Sequence, residues 1–165
     1  MPQRELDYSV LFVCMGNICR SPTAEGMFLK VLEERAPKLR IHVDSAGTHA
    51  YHIGEPPDLR AQHAARRRGI DLSGQRARQV RAKDFERFDL VLAMDEINHA
   101  MLLERSPQEF HERIRLFLEF APRLDRTEVP DPYYGGVNGF EHVLDLVEEA
   151  ATGLIEYLRD RAKDV

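Results

Sequence analysis

The sequence predicts an α/β fold in which a parallel sheet is covered by helices on both faces. Two observations carry this: short apolar, β-branched runs alternate with stretches of helical period, and turn residues separate them. A third concerns place. The first run ends in a tight loop that opens a helix, the setting in which such folds bind ligands beyond the carboxyl ends of their strands. The chain, residues 1–165, reads as one domain without internal repeat, low-complexity stretch or linker.

Tyr8 to Val13 is a buried strand by composition. The loop Cys14-Met15-Gly16-Asn17-Ile18-Cys19-Arg20 follows, and Ser21-Pro22 reads as an N-cap with proline at the first helical position. Glu25 is expected in the first turn, and Met27, Phe28, Val31 and Leu32 supply the apolar stripe. Ile41 to Ala46 is the second strand. Pro56-Pro57 is expected to open a helix that runs to about Arg68 and closes at Gly69. A short helix over Asp84 to Arg87 precedes the third strand, Leu90 to Ala93. Glu96 to about Arg105 is helical, and Ile114 to about Leu118 is the fourth strand. Pro130-Asp131-Pro132-Tyr133-Tyr134-Gly135-Gly136 breaks both periods and must be a loop. Phe140 to about Arg161 is amphipathic, with Phe140, Val143, Leu144, Val147, Leu154 and Leu158 near one face.

Composition narrows the function. The 43% hydrophobic and 31% charged content is that of a globular chain, and no apolar run approaches the roughly 20 residues of a membrane span. The N-terminus lacks an apolar signal stretch, so the expected address is cytoplasmic, without membrane insertion. A net charge of −5 argues against a nucleic-acid partner. Basic residues between Arg60 and Arg81 form either a solvated face or a local field that attracts anions. Two cysteines cannot make a disulfide framework or a structural zinc site, which turns attention to their reactivity.

Cys14-x5-Arg20-Ser21 joins a nucleophile to an anion cradle. Gly16 and Asn17 tolerate left-handed backbone, so the loop can turn its N–H groups toward one centre, at which the following helix also points its positive end. Arg20 offers a planar fork for two phosphate oxygens, and Ser21 can donate to a Cys14 thiolate. The bland alternative is a buried cysteine at a strand end, which needs none of these companions.

The segment Val13 to Pro22 resembles the signature of the low-molecular-weight protein tyrosine phosphatases, and Asp131-Pro132-Tyr133-Tyr134-Gly135 resembles that family's general-acid loop. Similarity extends to Asp44-Ser45-Ala46, to Ile53-Gly54 through Pro56-Pro57-Asp58, and to Met94-Asp95. The resemblance implies a flavodoxin-like three-layer fold with a four-stranded parallel sheet. It implies hydrolysis of phosphotyrosine in proteins without metal or other cofactor, with phosphate and other oxyanions as competitive ligands. By the same resemblance Cys14 is the nucleophile and Arg20 the phosphate clamp, while Asp131 acts as general acid and then base. Met15, Gly16, Asn17, Ile18, Cys19 and Ser21 form or support the phosphate loop, and Tyr51, Tyr133 and Tyr134 wall the substrate pocket. Cys19 is left as a second nucleophile, an ordinary small residue, or a redox partner that forms a reversible disulfide with Cys14.

One departure stands out. Relatives commonly place histidine near Ser73 to Gln79, where it supports Asn17; this chain has Gln75 there, an amide that donates and accepts without titrating. Three rivals remain. Arsenate reduction wants further cysteines, and none follows Cys19. Arginine phosphatases typically carry threonine where Ile18 stands. A non-catalytic phosphate-binding module would leave Asp131 without a task.

Overall fold

A computed structural model describes residues 6–132 and 136–163. The strands are β1 (Tyr8–Cys14), β2 (Ile41–Gly47), β3 (Leu90–Ala93) and β4 (Ile114–Leu116); the helices are α1 (Arg20–Arg35), α2 (Leu59–Arg66), α3 (Ala82–Arg87), α4 (Glu96–Arg105) and α5 (Gly136–Lys163). All strand pairings are parallel, in the order β2-β1-β3-β4. β1 is therefore central, with its neighbours reached in opposite directions from it. That is the topological switch point, and Cys14 is its last residue.

Strand parity assigns each side chain of β1 to a layer. Val10, Phe12 and Cys14 join a core with Met27, Phe28 and Val31 of α1 and Val143, Val147 and Leu154 of α5. Leu11 and Val13 enter a second core with Phe85, Phe88, Val91 and Leu102. Phe12 anchors the first, its ring 5.0 Å from Phe117 and 5.7 Å from Phe28. Burying such side chains contributes about 1.5–3 kcal/mol each. Every apolar position assigned to the stripes of α1 and α5 is buried. Gly153 lets α5 approach the 3-10 turn Phe117–Phe120, because a Cβ there would stand 1.8 Å from the Phe120 carbonyl oxygen.

Several element ends differ from expectation. α1 begins at Arg20 with Cys19 as N-cap, so Ser21 is inside the helix and Pro22 at its third position, where a missing N–H still costs nothing. Glu25 consequently lies beyond the first turn. Pro56 and Pro57 precede α2 rather than open it: Asp58 caps the helix by accepting from the Arg60 N–H at 2.8 Å. The Arg68 end is a turn closed by Gly69 at φ 79°. β4 stops at Leu116 and tightens into the 3-10 turn, whereas α5 starts at Gly136, before Phe140. Among the described residues no helix is long and apolar enough to cross a membrane.

Candidate active site

The loop after β1 is pinned on both flanks by backbone. Thr48 N–H donates to the Cys14 carbonyl at 2.9 Å, His49 N–H to Met15 at 3.0 Å, and Asp58 N–H to Ile18 at 2.8 Å. Gly47 permits this closeness, since a Cβ would lie 2.8 Å from the Met15 carbonyl oxygen. Asn17 adopts φ 58°, a left-handed conformation that asparagine tolerates better than most residues.

Cys14 Sγ lies 3.0 Å from Ser21 Oγ and accepts from the Asn17 backbone N–H at 3.3 Å. Asn17 Nδ2 donates to Ser21 Oγ at 2.8 Å and to Ser45 Oγ at 2.9 Å, while its Oδ1 accepts from the Arg78 backbone N–H at 3.0 Å. Asn17, Ser21 and Ser45 are all buried, so each of these bonds satisfies a group that would otherwise cost about 1–3 kcal/mol. The Arg78 guanidinium holds its own segment in place against Asp44 at 3.1 Å and Asp84 at 3.0 Å. Gln75 stands at the brace but one step removed from Asn17. Its Oε1 is 3.4 Å from Ser45 Oγ, and its Nε2 donates to the Pro22 carbonyl at 3.0 Å.

Arg20 is buried beside the sulfur, with Nη1 held by Asp95 Oδ2 at 2.7 Å and the Val129 carbonyl at 3.0 Å. Burial works against its charge, but the Cys14 sulfur, Asp95 and Asp131 more than offset this and hold its pKa above the usual value. The clamp is thus aimed by an acid that also keeps it ionised. Cys19 has the opposite setting. Burial first, then the fields of Asp58, Cys14 and Asp131, raise its pKa far above the ordinary thiol, with Arg60 opposing. These causes favour the neutral thiol at Cys19, against a role as second nucleophile; no disulfide joins the two cysteines, and both are buried.

The loop opens into a cleft of about 300 Å³ lined by Cys14, Met15, Gly16, Ile18, Cys19, Arg20, Tyr51, His52 and Asp131. The structure therefore gathers most of the sequence-predicted residues around one opening. Asp131 is exposed at the rim, and Tyr51 is 72% exposed, its ring stacked on His49 at 5.1 Å. Tyr133 and Tyr134 lie outside the described residues. Sequence reasoning missed Asp95 as partner of Arg20, Ser45 as link of the brace, and His52 as a cleft wall held by Glu55. The Asp44-Ser45-Ala46 and Met94-Asp95 similarities marked two of these places without assigning a task.

A larger cavity, about 620 Å³, lies elsewhere and is lined in part by Glu25, Asp44, Ser45 and Gln75. It carries none of the cleft's chemistry. Glu25, expected to serve the helix dipole, is instead desolvated. Burial and the nearby Asp44 raise its pKa to about 7, against a Ser45 hydrogen bond and the Arg78 charge.

The family model for low molecular weight phosphotyrosine protein phosphatase matches residues 9–164. The chain is 40% identical over 147 residues to the Bacillus subtilis low molecular weight protein-tyrosine-phosphatase YfkJ, covering 89% of this chain and 93% of that protein. It is 44% identical over 137 residues to the human low molecular weight phosphotyrosine protein phosphatase, covering 82% and 85%. A protein tyrosine phosphatase from Entamoeba histolytica, crystallised with Hepes in its active site, superposes with a TM-score of 0.90 at 40% identity, over 93% of this chain and 98% of that one. The cradle at the switch point and this likeness over nearly the whole length agree: the chain belongs to the low-molecular-weight phosphotyrosine protein phosphatases.

Proposed function

We propose that this protein hydrolyses phosphotyrosine in proteins through a phosphocysteine formed on Cys14. The observation that carries the reading is the placement of Cys14 Sγ against the Asn17 N–H and the Ser21 hydroxyl, in a cleft that Arg20 and Asp131 also line. The Cys14 thiolate attacks phosphorus along the line of the leaving phenolic oxygen. The loop amides from Met15 to Arg20 and the Arg20 fork receive the equatorial oxygens. Asp131 gives its proton to the departing phenolate. As carboxylate it then takes a proton from water, which attacks the phosphocysteine and returns the thiolate and inorganic phosphate. Ser21 supports the thiolate at both ends of the cycle. Cys19 packs the loop, and Tyr51 forms a wall for a flat phenyl ring. A nucleophilic thiol needs a reducing surrounding, and the cytoplasm is the address assigned.

Release of para-nitrophenol from its phosphate ester at mildly acidic pH, with chelator present, tests this directly. Wild type turns over, Cys14→Ser falls by about four orders of magnitude or more, and Asp131→Asn loses about 10²–10⁴-fold. The Asp131→Asn loss grows as the leaving group becomes more basic. Folded, reduced wild type that binds phosphate without turnover would instead point to a non-catalytic module.

A further inference from the structure

A second depression, about 330 Å³, adjoins the catalytic cleft. The two share Met15, Arg20 and Asp131, which form the rim between them. Its lining is mainly apolar, with Met15, Ile97, Met101, Val129 and Pro130. Ile97 is 71% exposed and Met15 42%, and covering such a side chain stabilises a complex by about 1.5–3 kcal/mol when burial is complete. The Ile97 wall is firm. It stands in the first turn of α4, where Asp95 accepts from the Asn98 N–H at 2.7 Å and Glu128 from the Glu96 N–H at 2.9 Å. Charge at this edge is acidic: Glu128, Asp95 and Asp131 line it, with His49 beside them.

We propose that this depression is a specificity subsite that receives the apolar side chain of a residue flanking the phosphotyrosine of a protein substrate. The inference rests on the phosphotyrosine reading of the adjoining cleft. With the phosphoryl group at Cys14, the tyrosine backbone lies at the cleft mouth. Its neighbours, about 3.8 Å apart from Cα to Cα, then cross the rim formed by Met15 and Asp131. An aliphatic side chain covers Ile97 and Met101. A flanking carboxylate would lose water against Glu128, and among the described lining residues the guanidinium of Arg20 is already engaged by Asp95. A small aryl phosphate fills the cleft alone and does not reach the subsite.

The test is kcat/KM for phosphotyrosine peptides carrying leucine or glutamate at the flanking position, on each side in turn, referred to para-nitrophenyl phosphate on the same protein. Wild type is expected to favour leucine on one side by about tenfold. Ile97→Asp is expected to bring that ratio close to one, chiefly through KM. An aspartate in the first turn of a helix suits its dipole, so the fold survives the change. No leucine preference on either side, or a preference untouched by Ile97→Asp, overturns the subsite while para-nitrophenyl phosphate turnover keeps the phosphatase reading intact. Absence of that turnover in wild type overturns both.

Discussion

Cys14 and Cys19 belong to one loop and are similarly buried, at 3% and 6% exposure, yet they occupy different chemical worlds. Around Cys14, the Asn17 N–H and Ser21 Oγ come within hydrogen-bond reach of the sulfur, and Arg20 interacts with it electrostatically. Around Cys19, desolvation and the carboxylates of Asp58 and Asp131 all favour the neutral thiol. The difference teaches that equal burial does not give two sulfurs the same surroundings: the groups that meet each one do.

The strongest way to break the comparison is to exchange the fates of the two. Cys14→Ser eliminates turnover, whereas Cys19→Ala retains it to within about threefold with a stability loss near 1 kcal/mol; steady-state rates and denaturant midpoints check both. Asn17→Ala tests the donors themselves. It removes three side-chain bonds and leaves a non-glycine residue at φ 58°. We expect about 2–4 kcal/mol of destabilisation and a fall in kcat larger than any change at Cys19. Retained kcat would mean that the backbone alone holds the cradle. The smallest effect belongs to Glu25. With its folded pKa near 7, above its ordinary 4.5, the folded chain keeps a proton that the unfolded chain releases, so stability falls as pH rises through that window. Glu25→Gln should remove this slope, raising Tm at pH 8 relative to wild type while scarcely changing it at pH 4. Parallel Tm–pH curves for the two proteins would show that Glu25 does not titrate there.

Much of this arrangement was legible in the sequence, because local rules and the resemblance pointed the same way. The end of the first strand and the Cys14-x5-Arg20 spacing pointed to the candidate site, and the α1 and α5 stripes to the main core. What escaped notice was set by tertiary structure. No spacing ties Arg20 to Asp95, 75 residues away, or Asn17 to Ser45, 28 away. Ser21 looked like a helix cap because serine before proline is a good start signal, but its hydroxyl has a better use at the sulfur. Glu25 misled for a related reason. Starting the helix earlier moved it out of the first turn and into contact with the brace.

The brace also has a direction. The Arg78 peptide nitrogen can only donate, so the Asn17 oxygen must face it and both amide hydrogens must point at the two hydroxyls. Ser21 Oγ, receiving one of these, has its own hydrogen left to offer to Cys14 Sγ at 3.0 Å or to the Ala46 carbonyl at 3.5 Å. A peptide group 61 residues beyond Asn17 thereby restricts how the hydroxyl beside the Cys14 sulfur can turn. The strand-like segment that carries Arg78 thus sets the orientation of an amide that reaches the candidate active site from outside the loop.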